Sequence, residues 1–249
     1  MKIGLIGAGN MATALARGWG DPVLVHDPDR SRAEALVEEL GGEAVDSNAE
    51  LAERADALLL AHKPAGLERV AREIGGGAKA VISILGGVPL AALRAAYGTT
   101  PVVRMIPSVP VEVRQGVTCH ARDAEAAAEL EAQAVALFER VGLVVDLDEA
   151  QFEVATGLMS CAPAYVALVA EAQVDAGVRA GMPADVAGTL VAASMGGSAA
   201  LLQARGMDTL AVRRMVTSPG GITARGLAAL EHSGVRAAFD DAMQAVVAR

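Results

Sequence analysis

The stretch Met1-Lys-Ile-Gly-Leu-Ile-Gly-Ala-Gly-Asn-Met-Ala12 decides how the rest of the chain is read. A short apolar strand runs straight into Gly7-x-Gly9-x-x-Ala12, and a helical pattern follows it. In such a turn Gly7 permits the tight reversal and Gly9 leaves the backbone room to approach a pyrophosphate. Ala12 lets the next helix pack closely on the strand. The amides at that helix's start then face the anion. Glycine turns join many strands and helices, so the flanking strand and helix are what turn this one into a dinucleotide fingerprint. Gly7, Gly9, Asn10 and Met11 are its candidate contacts.

Working outward, Pro22 to Asp27 reads as a second buried strand and Ser31 to Leu40 as a helix ending at Gly41-Gly42. Asp27 lies about 20 residues past the glycines, where an acid bonds the adenosine ribose; this favours NADH over NADPH slightly. Asp27-Pro28-Asp29-Arg30 also reads as a plain polar turn, and Arg30 or Arg32 could meet a 2′-phosphate. The rhythm continues through Glu43 to Asp46, a helix at Ala49 to Arg54, and the strand Ala57 to Ala61. That last strand does not alternate in polarity, as expected inside a covered parallel sheet. His62-Lys63-Pro64 follows at its carboxyl end, the edge where open α/β sheets bind ligands. Strands at 80–84, 101–105, 117–120 and 143–146, with a helix over 123–141, complete a first domain at residues 1–148.

From residue 149 to 249 the pattern is helical throughout. Ala162 to Ala180 reads as one helix, stopped by Gly181. A second runs to about Ala204, with Pro183 suited to its first turn. Its span from Val186 to Leu202 is apolar on every side and must be buried on every side. About 100 residues cannot enclose it alone, so either the first domain covers it or, as favoured here, a second copy of the chain does. The fold class is therefore α/β, a Rossmann-type doubly wound sheet followed by an all-helical dimerisation domain.

Composition narrows the function classes. Hydrophobic residues make up 53% and aromatics only 2%, so Ala, Val and Leu must build the core. A net charge of −9 without basic clusters argues against nucleic acid. No uninterrupted apolar run reaches the ~18 residues of a membrane span. The start of the chain carries no secretion signal, so the cytoplasm is the expected compartment. Cys119 and Cys161 cannot form a disulfide framework, and the four histidines show no ligand spacing, so no metal is expected.

Several segments in order resemble the pyrroline-5-carboxylate reductase family. They are Gly7 to Ala12, Lys63-Pro64, Val103 to Pro107 with Pro110 and Gly116 to Thr118, Ala162 to Tyr165 leading to Glu171 and Asp175 to Gly177, and Ser218-Pro-Gly-Gly-Ile-Thr223. The resemblance implies NAD(P)H-dependent reduction of a small cyclic imino acid, 1-pyrroline-5-carboxylate to L-proline, by a homodimer or larger homo-oligomer. Gly220 and Gly221 can turn their amides toward one point, an anion-binding concavity for the substrate carboxylate. Ser218 and Thr223 add hydroxyls. A helix-breaking linker would use the same residues. By resemblance Thr223 relays a proton, Lys63 and Pro64 sit at the nicotinamide side, and Asn48 sits near the adenosine, although an N-terminal helix cap explains Asn48 equally well. Arg104 is expected to pair with an acid near the domain junction.

The chain also departs from the family's pattern. Ile106-Pro-Ser-Val-Pro110 carries Ser108 where a side-chain amide near the nicotinamide is usual, and Met159-Ser-Cys-Ala-Pro-Ala-Tyr165 has side chains in place of two glycines. These departures keep two other expectations in play. One is a related imine or ketone reductase; the other is an NAD(P)-binding dimer without catalysis.

Overall fold

The computed structural model describes residues 1–248. The chain divides into two compact units, Met1–Pro163 and Ala164–Arg249. In the first, strands β1 (Ile3–Ile6), β2 (Val23–His26), β3 (Gly42–Ala44) and β4 (Ala57–Leu60) alternate with helices α1 (Asn10–Trp19), α2 (Arg30–Leu40) and α3 (Asn48–Arg54). Helix α4 (Leu67–Ile74), β5 (Val81–Ser83), α5 (Leu90–Tyr97) and β6 (Val102–Pro107) continue the pattern, followed by β7 (Gly116–Ala121), α6 (Ala128–Glu139), β8 (Gly142–Leu147) and α7 (Phe152–Met159). The eight strands form one sheet in the order β3-β2-β1-β4-β5-β6-β7-β8.

The pleat of β4 shows why this sheet is covered on both faces. Leu58 and Leu60 belong to the apolar cluster that takes in Leu51, Val70 and Leu93 from α3, α4 and α5. Leu59, between them, points to the opposite cluster with Leu15, Leu36 and Phe138 from α1, α2 and α6. Successive side chains of a strand face opposite ways, so a wholly apolar strand needs helices on both sides. All four β4 residues are buried.

The strand order reverses between β2-β1 and β1-β4, with all strands from β3 to β6 parallel. A crevice at the carboxyl ends of β1 and β4 follows from that switch. One direction was not foreseen from sequence: β7 runs antiparallel to β6, then pairs parallel with β8. Two boundaries also differ from expectation. The helix expected over 123–141 begins only at Ala128, because the Asp123 carboxylate accepts the Glu125 amide and turns the chain there. Pro183 caps its helix from the position just before the first turn.

The second unit is helical: α8 (Ala162–Arg179) leads into it, followed by α9 (Ala184–Ala204), α10 (Thr209–Met215), α11 (Ile222–His232) and α12 (Val235–Val247). Among the described residues α8 has no buried residue and α9 only Ala187. Within one chain the apolar helix α9 is therefore left uncovered. By length and mean hydropathy over an 18-residue window, 149–179 and 184–204 would each suffice to cross a membrane, although polar residues interrupt both.

Candidate active site

At the carboxyl ends of β1, β2 and β4 lies a cleft of about 800 Å³, within the range of cofactor sites. Gly7, Gly9, Asn10, Met11, Asp27, Asn48, Lys63 and Pro64 all line it, together with Arg32, His62 and Arg69. A smaller cavity of about 470 Å³ opens at the opposite edge, where β1, β2 and β3 begin. There Arg54 is engaged with Glu43 and Arg140 with Asp21.

The glycine turn has the shape its sequence implies. Gly7 has φ +103°, and a Cβ there would stand 3.1 Å from the carbonyl carbon and oxygen of Ala61. A left-handed backbone pressed against the residue just past β4 leaves only glycine. Its amide donates to the His26 carbonyl (2.8 Å), tying the turn to β2. Gly9 caps α1 from an extended conformation, and a Cβ there would meet nothing within 4 Å. That open space lies directly before the free amides of α1's first turn, the approach an anion needs. Ala12 is 1% exposed, in keeping with close packing of α1.

Asp27 is already engaged. Its Oδ2 accepts the Ala8 amide at 2.7 Å and its Oδ1 the Asp29 amide at 2.9 Å. The carboxylate thereby braces the turn after β1, while spare lone pairs remain for a ribose hydroxyl. Arg32, in the same cleft, pairs with Asp29 at 3.4 Å. Arg30 is directed elsewhere, to Glu34 and Asp46.

Asn48 is not a helix cap. Ser47 holds that position and accepts the Glu50 amide. Asn48 is instead buried (4% exposed), and its Nδ2 donates to Glu73 Oε2 at 2.6 Å. That bond fixes the amide orientation, leaving Asn48 Oδ1 buried with no partner among the described residues. Burial alone would raise the Glu73 carboxyl, but its bonds to Arg69 and Asn48 outweigh that and hold it below its ordinary value. Lys63 is exposed at the start of the short 3-10 turn Pro64–Gly66 and has no ion-pair partner among the described residues.

Two features fit a dinucleotide. The Gly7–Gly9 cradle would be filled or strained by side chains, and Asn48 and His62 each keep a buried unpartnered polar atom at the cleft. Of the cations in the lining, Arg32 and Arg69 are paired with Asp29 and Glu73, and Lys63, with no ion-pair partner among the described residues, is the charge that suits a pyrophosphate.

The remaining expected residues lie elsewhere. Ser108 is 3% exposed; its Oγ accepts the Val117 amide at 2.9 Å, and the neighbouring Val109 lines the cleft in its place. Ser218, Gly220 and Gly221 sit on the turn between α10 and α11, and Thr223 follows in α11. Gly220 has φ +68°, the Gly221 amide donates to the Ser218 carbonyl at 3.0 Å, and Gly221 caps α11 with Thr223 in its first turn. The free amides of an 11-residue helix therefore start at this loop. Arg104 pairs with Glu149 and stacks on Phe152. Sequence reasoning placed His62 at the right edge without a role; Arg69 and Val70 were not singled out, since they reach the cleft only through the packing of α4.

Comparisons with known proteins agree with this geometry. Residues 149–249 match the family model "Pyrroline-5-carboxylate reductase dimerisation", and residues 2–87 match "NADP oxidoreductase coenzyme F420-dependent". The pyrroline-5-carboxylate reductase of Thermus thermophilus is 37% identical, over 100% of this chain and 97% of its own length. That of Synechocystis is 35% identical with the same coverage. Among solved structures, the Plasmodium falciparum pyrroline carboxylate reductase with NADP bound superposes with a TM-score of 0.89 at 26% identity, covering 99% of this chain and 95% of that one.

Proposed function

The chain belongs to the pyrroline-5-carboxylate reductase family, and on that premise we propose that it reduces the C=N bond of 1-pyrroline-5-carboxylate to give L-proline, with NAD(P)H as donor. The single observation that carries the reading is the cleft at the β1–β4 switch, with its glycine turn, Lys63 and unpartnered acceptors. When bound, the reduced nicotinamide supplies the hydride to the imine carbon. The protein's own residues orient and neutralise. Lys63, with no ion-pair partner among the described residues, would hold the nicotinamide end, and Asn48 the adenosine end. Ser108, behind Val109, supports the loop after β6. The free amides at the start of α11, which Gly220 and Gly221 lead into, receive the substrate carboxylate together with Ser218 Oγ. Thr223 would bond the imine nitrogen and relay to it a solvent proton, its hydroxyl taking one from water as it gives its own, so one C–H and one N–H form as the C=N double bond becomes single.

We assign the helical unit to homo-oligomer formation and residues 1–148 to the cofactor, in the cytoplasm. For the nucleotide we propose a slight preference for NADH. The Asp27 carboxylate disfavours a 2′-phosphate, and Arg32, the cation beside it, is partly neutralised by Asp29.

The purified protein mixed with pyrroline-5-carboxylate and each reduced cofactor should oxidise both, followed by nicotinamide absorbance, with kcat/KM a few-fold higher for NADH. Thr223→Ala should lower kcat by on the order of 100-fold. No oxidation of either cofactor by the folded protein rules the activity out. Ser160 and Ala162, the side chains that stand in place of the family's two glycines, with Ser160 Oγ against Met159 Sδ, favour testing a panel of other cyclic imines and 2-oxo acids alongside. Faster turnover of one of those would reassign the substrate.

A further inference from the structure

His62 stands at the end of β4, one residue before Lys63, with its backbone nitrogen 3.2 Å from where a Gly7 Cβ would be. It therefore adjoins the glycine turn. Its ring lies against Gly66, where an added Cβ would stand 3.2 Å from Nδ1. Nδ1 is 2.8 Å from the Lys63 carbonyl oxygen. A carbonyl can only accept, so the neutral ring carries its proton on Nδ1, and Nε2 is left as a lone-pair acceptor. Nε2 is buried and has no partner among the described residues. Burial also holds the ring's pKa below 6.5, which keeps this tautomer neutral at physiological pH.

A buried acceptor without a donor is destabilising, and a site that retains one has a use for it. Asn48 Oδ1 is a second such acceptor lining the same cleft, its orientation locked by Glu73. Two orphaned acceptors in one cleft call for a ligand rich in donors. A dinucleotide offers ribose hydroxyls, an adenine amine and a carboxamide amine.

The geometry points to His62 as a cofactor-positioning residue, whose Nε2 accepts a hydrogen bond from a hydroxyl or amino group of the bound dinucleotide. This inference rests on the dinucleotide-binding half of the proposed function alone and not on the imine. The Lys63 carbonyl sets the tautomer, Gly66 leaves room for the ring, and the adjoining glycine turn brings the ligand within reach. The bond is distinct from any charge effect on the pyrophosphate, because the ring is neutral when it accepts.

The test is cofactor affinity of the intact protein, read by calorimetry with NADH and NADPH in the absence of substrate. His62→Phe keeps the ring's bulk and removes the acceptor, and should raise Kd about three- to tenfold, the scale of one hydrogen bond. Its melting temperature without cofactor should not fall, since an unsatisfied polar atom has been removed. His62→Gln, whose side-chain oxygen can reach the Nε2 position, should restore Kd to within about twofold of the parent. His62→Val removes the same atom with less bulk and decides the matter if the phenylalanine variant misfolds. ADP, which lacks the nicotinamide half, separates the donor's two sources. A penalty with ADP places the donor on the adenosine side, and a penalty only with the whole dinucleotide places it on the nicotinamide side. An unchanged Kd in the variants lacking the acceptor overturns the inference, as does a loss in His62→Gln as large as in His62→Phe. Because binding is measured without turnover, a protein that binds cofactor but reduces no imine sinks the proposed activity and leaves this inference standing or falling separately.

Discussion

At the scale of single residues, the two glycines of the opening turn do different work, and substitution separates them. Gly7 combines φ +103° with backbone atoms of Ala61, just past β4, at 3.1 Å, so Gly7→Ala should cost about 2 kcal/mol of stability, the scale of a residue held in a forbidden backbone region. Gly9 has an ordinary φ and open space around it. Gly9→Ala should therefore leave the denaturation midpoint nearly unmoved while weakening NAD(P)H binding about tenfold or more, since each hydrogen bond to a charged group contributes about 1.5–3 kcal/mol. Equal loss of stability in both variants would show that the two positions are not distinguished in this way. His62 makes a separate prediction in pH. Because burial depresses its pKa in the fold, the unfolded chain binds that proton more readily. Stability is then intact above the ordinary value of 6.5 and declines as pH falls towards the folded pKa. His62→Phe should flatten this part of the profile relative to the parent, measured by urea midpoints between pH 7.5 and 5. The glycine turn was legible because its spacing sits between a recognisable strand and helix. The orphaned Nε2 of His62 was not, because its state depends on a contact with the Lys63 carbonyl that appears only once the chain turns after β4.

At the scale of elements, Arg104 shows how the sheet is joined to the helix that leaves it. Its guanidinium, 7% exposed, pairs with Glu149 and lies 4.5 Å over the Phe152 ring. Glu149 Oε1 also accepts the Leu90 amide at 2.7 Å, one of the free amides at the start of α5. One carboxylate thus ties β6, α5 and the chain entering α7. Glu149→Ala leaves a buried cation unpaired and should cost about 3 kcal/mol by urea denaturation; a loss below about 1 kcal/mol would mean that water reaches Arg104. That Arg104 would find an acid was readable from its place in an apolar strand, where an unmatched charge is untenable. Strand direction was also within reach. Eight residues separate Pro107 from Gly116, too few for the crossover of a dozen or more that parallel pairing requires. The antiparallel β6–β7 pair follows from that length, whereas reading strands only by composition hides it. The late start of α6 at Ala128 was less accessible, since Asp123 both turns the chain by accepting the Glu125 amide and pairs with Arg94 from α5, a contact that sequence does not show.

At the scale of the molecule, the helical unit cannot be stable in water as one chain. In α8 Val166 is 53% and Leu168 65% exposed, and in α9 Leu190 is 52% exposed. Exposed apolar surface of that extent marks an interface. The apolar character of α9 was legible as a requirement for burial, yet sequence could not say what buries it, because surface-to-volume reasoning gives an area and not a partner. A membrane would also cover 149–179 and 184–204. Against lipid stand Glu171 and Asp175 within α8, each an expensive charge at the centre of a bilayer. The match of residues 149–249 to a dimerisation family favours a second copy of the chain, which would bury both helices as a domain core divided between two subunits. The protein should therefore sediment as a dimer or larger assembly without detergent, and Leu168→Glu together with Leu190→Glu should shift it to monomer or unfold the helical unit. Such a variant should keep the glycine turn and its cleft, which belong to the first unit, so NAD(P)H binding by the surviving monomer would fall far less than imine reduction. A wild-type chain that sediments as a monomer in buffer, or that requires detergent to remain in solution, would overturn this account of the helical surface.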